Sequence, residues 1–197
     1  MQVCHLPRRE RQRRVRATLE ANPFLTDEEL AAKFDVSVQT IRLDRLALGI
    51  PELRERTRQM AERVHGLVKA IGAKEIVGEL VDLVLGQSGV SILETTPDMV
   101  FEKTQIVRSH FLFAQADSLA LAIVDADIAV TGLVNVKYKR PVTAGERLIA
   151  KGQVLRVRGR DKYIVQVVTR SGGEQVFRAK FVVFALGAST AERGTGS

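Results

Sequence analysis

Two hydrophobic periodicities divide this chain. Up to about Ile71, apolar residues recur at helical spacing among Arg and Glu; from about Glu75 onward, β-branched runs alternate with turn residues around one apolar helix. Residues 9–21 predict a first helix that ends before Pro23. Thr26-Asp27-Glu28-Glu29 is a capping box, in which the Thr26 hydroxyl can accept from the Glu29 amide while Glu29 reaches back to the Thr26 amide. Leu30, Ala31 and Phe34 supply that helix with an inner face. Asp35-Val36 predicts a tight break, and Ser37 caps a further helix that runs to about Leu48, where Gly49 and Pro51 forbid continuation. Residues 52–71 then read as one long helix, because Leu53, Met60, Val64, Leu67 and Ile71 form a stripe with charges between them. Such a stripe has to be covered, by a second copy or by the following domain, and either would make it a linker.

The second half changes period. Residues 75–85 and 90–94 predict strands separated by Gly86-Gln87-Ser88-Gly89. Residues 110–124 form a helix that is apolar on most sides and therefore buried. Four strands follow at about 127–139, 146–158, 162–171 and 174–185; the first is expected to place Ile128, Val130, Gly132, Val134, Val136 and Tyr138 on one face. A buried helix wrapped by a long antiparallel sheet is the hot-dog architecture. The predicted fold class is therefore α+β: a helix-turn-helix domain with a basic arm (1–50), an amphipathic linker helix (51–72), a hot-dog domain (73–187) and a disordered polar tail (188–197).

Composition narrows the setting. The chain has 197 residues, 45% hydrophobic, enough for a packed core, and its formal net charge of +7 favours an acidic partner. Arg8, Arg9, Arg11, Arg13, Arg14 and Arg16 stand against Glu10 alone in the first 16 residues, which is a basic arm. Cys4 is the only cysteine, so no intrachain disulfide forms and a reducing, cytoplasmic setting is expected. The basic start is followed by no apolar signal-peptide core, and no run approaches the roughly 18 apolar residues of a membrane span. His5, His65 and His110 are scattered, so no metal site is expected.

Helix, three-residue turn and helix within roughly 22 residues is the helix-turn-helix signature. Ser37, Gln39, Thr40, Arg42 and Arg45 are the candidate DNA contacts on the second helix: Gln suits the adenine edge, Arg the guanine edge or a phosphate. Arg8, Arg9, Arg11, Arg13 and Arg14 add phosphate or minor-groove contacts. Which side of the second helix faces outward stays open, because Leu43 and Leu46 lie roughly opposite Ile41 and Leu48. A plain helical bundle with a solvated charged face is the alternative. In the second domain, Lys137, Lys139 and Arg140 gather three cations suited to coenzyme A phosphates, or else form a solvated strand face. The stretch from Val134 to Glu146 resembles the strand and turn that hot-dog acyl-CoA thioesterases use beside their ligand.

Longer strings carry a closer resemblance. Phe24-Leu-Thr-Asp-Glu-Glu-Leu-Ala31, Val38-Gln-Thr-Ile-Arg-Leu-Asp-Arg-Leu46 and Ile50-Pro-Glu-Leu-Arg-Glu-Arg56 in the first half resemble the FapR family of repressors of bacterial fatty-acid and phospholipid synthesis. So do Ser91-Ile-Leu-Glu94 and His110-Phe-Leu-Phe-Ala-Gln-Ala-Asp-Ser-Leu-Ala120 in the second. The resemblance spans nearly the whole chain. It implies a homodimer that binds palindromic operator DNA and is released by malonyl-CoA, a regulatory ligand and not a cofactor. It also implies that Phe101 walls the pocket and that Arg108 meets the malonyl carboxylate. Ser109 stands where the family usually has Gly, and Asp117 where it has Asn; both fall in the implied effector site.

Two rival classes remain at this stage. Related hot-dog thioesterases place a catalytic carboxylate on the buried helix nine residues after a His; here Asp117 follows Arg108 at that spacing, and an arginine cannot serve as acid or base. The other rival is a nucleic-acid-binding module whose hot-dog half only dimerises.

Overall fold

The capping box forms as written: α2 (Asp27–Phe34) opens with the Thr26 hydroxyl accepting from Glu29 N at 3.0 Å, while the Glu29 carboxylate accepts from the Thr26 amide at 2.8 Å. Asp35 closes the helix in the left-handed region at φ 52°, a conformation its short side chain tolerates. Ser37 then caps α3 (Val38–Ala47), its Oγ accepting from Thr40 N at 3.1 Å. Ahead of both lies α1 (Arg8–Ala21), within one residue of the helix predicted over 9–21, so the basic stretch from Arg8 to Arg16 is helical. Val15, Leu19, Leu30, Ala31 and Ile41 are the small core that the three helices share.

The computed structural model describes residues 6–186; Cys4, His5 and the tail predicted to be disordered lie outside them. The chain divides into two units, Met1–Gln59 and Met60–Ser197.

The long helix predicted over 52–71 is shorter. α4 (Leu53–Val64) ends in a 3₁₀ turn at His65–Leu67, and Val68 is already extended at φ −69°, ψ 129°. Gly66 and Gly72 explain the break, since each glycine in a helix interior costs about 1 kcal/mol relative to alanine. Val68, Ala70 and Ile71 instead pack against the core of the second unit, and Leu67 is left exposed.

That unit is a six-stranded antiparallel sheet in the order β1-β2-β4-β5-β6-β3. The strands are β1 (Glu79–Val84), β2 (Ser88–Glu94), β3 (Ile128–Tyr138), β4 (Arg147–Arg158), β5 (Lys162–Ser171) and β6 (Glu174–Leu186). One face wraps α5 (Ser109–Ile123), whose Leu112, Ala116, Leu119 and Ile123 are buried with Val165, Val167, Phe177 and Phe181 of the sheet. Gly152 lets the helix approach closely: a Cβ there would collide with Ile123. Gln115, fully buried, staples α5 to the sheet by donating to the carbonyls of Ser91 and Leu148, each at 3.2 Å.

The simple alternation expected along β3 does not hold. Its pairing with β6 shifts register between Thr131 and Leu133, a bulge at Gly132. Ala129 and Thr131 face α5 before it, Val134, Val136 and Tyr138 after it, while Ile128 and Val130 turn outward with Leu133. The extra residue inverts the parity that a period-two reading assumes, and the Phe184 ring fills the space a Cβ at Gly132 would need.

Candidate functional site

In the helical unit, α3 presents Gln39, Arg42, Leu43 and Leu46 outward and keeps Ile41, Asp44 and Arg45 inward. Arg45 is therefore not a surface contact. It is 6% exposed, grips the Asp27 carboxylate through two bonds of 2.6 and 2.8 Å, and donates to the Ile50 carbonyl. That fork holds the Asp27 carboxyl below its ordinary range, against the opposing effect of burial. Arg11 is likewise committed: it donates to the buried Asp44 at 2.5 Å, joined by Gln12 at 2.9 Å. Ser37 and Thr40 spend their groups on the α3 cap, with their hydroxyls 2.9 Å apart. Arg13 and Arg14 pair on the surface with Glu10 at 3.0 and 2.9 Å. Arg8 and Arg9 are exposed, and Arg42 is only loosely drawn to Asp27, at 3.6 Å. Of the candidate contacts, Gln39, Arg42, Arg8 and Arg9 thus face solvent, with the exposed Leu43 and Leu46 beside them. The sequence marks those two leucines as one side of α3, and only the packing of Ile41 shows which side is outside.

In the sheet unit a cavity of about 350 Å³ opens between the start of α5 and the segment after β3. Ser109 and Leu112 line one wall, Tyr138, Lys139 and Arg140 the other. The Tyr138 hydroxyl donates to the Ser109 carbonyl at 3.3 Å. Lys137 does not line this cavity: its register partner is Arg178, on the outer face of the sheet. Arg140 is held by Glu146 at 2.9 Å and Glu174 at 3.1 Å. Burial alone would push the Glu146 carboxyl up, but donors from Arg140, Ser171 and Thr143 outweigh it and bring it down to about 2. The loop leading into α5 is shaped by Gln105 at φ 56° and by bridges of Val100 to Val107 and Ile106 to Thr143. Phe101, 54% exposed, stands on that loop. Arg108 donates to the carbonyls of Asp98 and Met99 and lies over the Phe111 ring at 5.1 Å.

Asp117 lies two turns further along α5, roughly 12 Å from Ser109 at 1.5 Å per residue. It accepts from the Thr131 hydroxyl at 2.7 Å and lines no part of the cavity. The structure thus brings Ser109, Lys139 and Arg140 together, with Arg108 and Phe101 on the adjoining loop, and leaves Lys137 and Asp117 apart. Among the described residues no group of three or more metal-ligating side chains converges, and no helix is long and apolar enough to cross a membrane.

Known proteins resemble the chain in both sequence and structure. The transcription factor FapR of Caldanaerobacter subterraneus subsp. tengcongensis is 54% identical over 177 residues, 90% of this chain and 88% of that protein. The transcription factor FapR of Bacillus subtilis is 46% identical over 179 residues, 90% of this chain and 95% of its own length. No protein-family model matches the chain. Among solved structures, the uncharacterized protein PH1136 of Pyrococcus horikoshii aligns at TM-score 0.54 and 29% identity, over 57% of this chain and 85% of that one. A mutant of the phenylacetic acid degradation protein PaaI of Thermus thermophilus aligns at TM-score 0.51 and 26% identity, over 56% and 95%. These neighbours are hot-dog proteins of the thioesterase type, and the sheet unit has that fold. Its relatives along the whole chain, however, are named as transcription factors and not as enzymes: the chain belongs to the FapR family and is a transcriptional regulator.

Proposed function

We propose that the chain is a cytoplasmic repressor of fatty-acid and phospholipid synthesis genes, bound as a homodimer to palindromic operator DNA and released by malonyl-CoA or a related acyl-CoA. The observation that carries this reading is the outward face of α3, where Gln39 and Arg42 point to solvent, Arg42 held only by its 3.6 Å contact to Asp27, while the other polar groups of the helix are spent internally. A helix with that exposed face, seated behind a tight turn, is the shape that enters a major groove. The homodimer is supported by β3: an eleven-residue strand at the sheet edge, with one backbone edge unpaired among the described residues, calls for a covering strand.

The effector reading rests on the cavity beside Lys139 and Arg140, which offers the Lys139 ammonium and an Arg140 guanidinium shared with Glu146 and Glu174 at its rim and is apolar at Leu112 and Val142. Arg108 is the residue suited to the malonyl carboxylate, because its fork of donors is now spent on neutral carbonyls that a carboxylate outcompetes. Drawing Arg108 away from Asp98 and Met99 would rearrange the loop that carries Phe101. Ligand then acts by binding the DNA-incompetent state more tightly.

Gel-shift titration of operator DNA against malonyl-CoA, acetyl-CoA and free coenzyme A tests the reading. Release by malonyl-CoA, lost in Arg108→Ala while operator binding persists, is the expected result. Release of Arg108→Ala at the same ligand concentration would remove that residue's role, and failure of the wild-type chain to bind operator would sink the reading.

A further inference from the structure

The face of the sheet that α5 does not cover carries cations in rows. Lys151 of β4 stands in register with Val168 of β5, Val168 with Arg178 of β6, and Arg178 with Lys137 of β3. In the next row Lys180 lies between Gln166 and Asn135, and beyond the β4 bulge Arg156 and Arg158 continue the series. At about 4.8 Å between strands, the Lys151 to Lys137 row spans roughly 14 Å. None of these six cations has an ion pair among the described residues; Arg178 donates to the neutral Gln166 at 2.7 Å.

Carboxylates are almost absent from this half of the sheet. Over residues 128–186 they are Glu146, Asp161 and Glu174. Glu146 and Glu174 are taken by Arg140, and Asp161 sits in the turn between β4 and β5. The acids of the outer face gather at the opposite edge, as Glu79 and Asp82 of β1 and as Glu94, which pairs with Arg147 at 3.1 Å. The field of this face therefore has a direction, positive over β4, β5, β6 and β3 and negative over β1.

We infer that this outer face is a second, sequence-independent DNA-binding surface, holding the phosphate backbone of duplex DNA. The inference rests on the DNA-binding reading above, which makes duplex DNA the polyanion this regulator meets. A double helix carries one charge per about 1.7 Å of axis, so about eight lie along the length of the cationic row, roughly half of them on the side turned to it. A lipid surface or a single strand is the poorer fit. Both draw on exposed aromatic rings, yet the chain has no Trp, both tyrosines lie on the α5 side of the sheet, and Phe184, the ring on the outer face, is packed over Gly132 and covered by Lys162. Pairing of β3 with its copy would set two such rows end to end, over roughly 30 Å, close to one turn of the duplex.

The test uses the full chain and a fluorescent duplex of scrambled sequence, titrated by anisotropy across a series of KCl concentrations. Lys151→Gln, Arg178→Gln and Lys180→Gln are combined in one variant, with Lys74→Gln and Lys103→Gln combined as a control. Each phosphate contact removed lowers the slope of log K against log salt by about 0.9, so the triple variant should lose about 2 to 3 and the control nothing. A triple variant with the wild-type slope overturns the inference. So does a variant that keeps its DNA slope but loses binding to phosphatidylglycerol vesicles, which would assign the face to membrane. Operator preference in the wild-type chain separates the two proposals: preference present with an unmoved slope defeats only this surface, whereas no duplex binding at all defeats the functional reading as well. Arg42→Ala should do the converse, abolishing operator preference and leaving most of the slope.

Discussion

The helical unit and the hot-dog unit are both rich in cations, and they dispose of them in opposite ways. In the helical unit the apolar core is small, and Arg11, Arg45 and Arg56 are drawn inward to complete it. Arg45 forks onto Asp27, Arg11 reaches Asp44, and Arg56 donates to the carbonyls of Pro23, Pro51 and Leu25. In the hot-dog unit α5 and the sheet together fill the core with Leu, Ile, Val, Ala and Phe, the core needs no guanidinium, and Lys151, Arg178 and Lys180 stay outside. An arginine count therefore says little about a partner until each residue's position relative to a core is known.

The contrast can be broken from either side. Phe181→Ala should have the largest effect, about 3–5 kcal/mol, seen in calorimetry as an earlier hot-dog transition with the helical one unmoved. Arg45→Ala should mirror it in the helical unit at about 2–4 kcal/mol, because Asp27 is left partly buried without its partner. The double change Asp27→Leu with Arg45→Met should recover much of that loss. If it does not, the pair is specifying the fold and not merely filling it.

Acid supplies the next test. The Glu146 carboxyl titrates at about 2 in the folded protein against 4.5 in the unfolded chain, so its stabilisation is complete above the higher value and drains as pH falls towards the lower. The hot-dog transition should lose about 2–3 kcal/mol from this group across that window, and Glu146→Gln should flatten the loss. Asp27, whose carboxyl is also lowered, should give the helical unit an acid dependence of the same sign, and Arg45→Ala should remove it. Thr26→Ala is the smallest change, about 1 kcal/mol from the lost cap, confined to the helical transition.

What the sequence made legible was what local chemistry decides. The Thr26 box, the Asp35 turn, the Ser37 cap and the extents of α5 and β3 to β6 lie within a residue or two of expectation, because capping and periodicity act over a few neighbours. What it concealed depends on distant partners. Arg45 and Arg42 are three apart on one helix, yet only the position of Asp27 makes one internal and leaves the other exposed. Lys137 and Lys139 look equivalent until the pairing of β3 with β6 sends them to different surroundings. The Gly132 bulge leaves no periodic trace, since it is a mismatch between two strands rather than a property of one. Gly66, by contrast, is a local signal against a long helix that the sequence itself displays.

The strand order has a consequence for how this chain is made. Among the described residues β3 has a single neighbour in the sheet, β6, which leaves the ribosome after β4 and β5. During synthesis β3 waits with both edges bare while the segments of β4 and β5 are added. A nascent chain halted before Glu174 would therefore expose β3 with nothing native to pair with. Translation speed across β4 and β5 then sets how long that strand is open to a wrong neighbour.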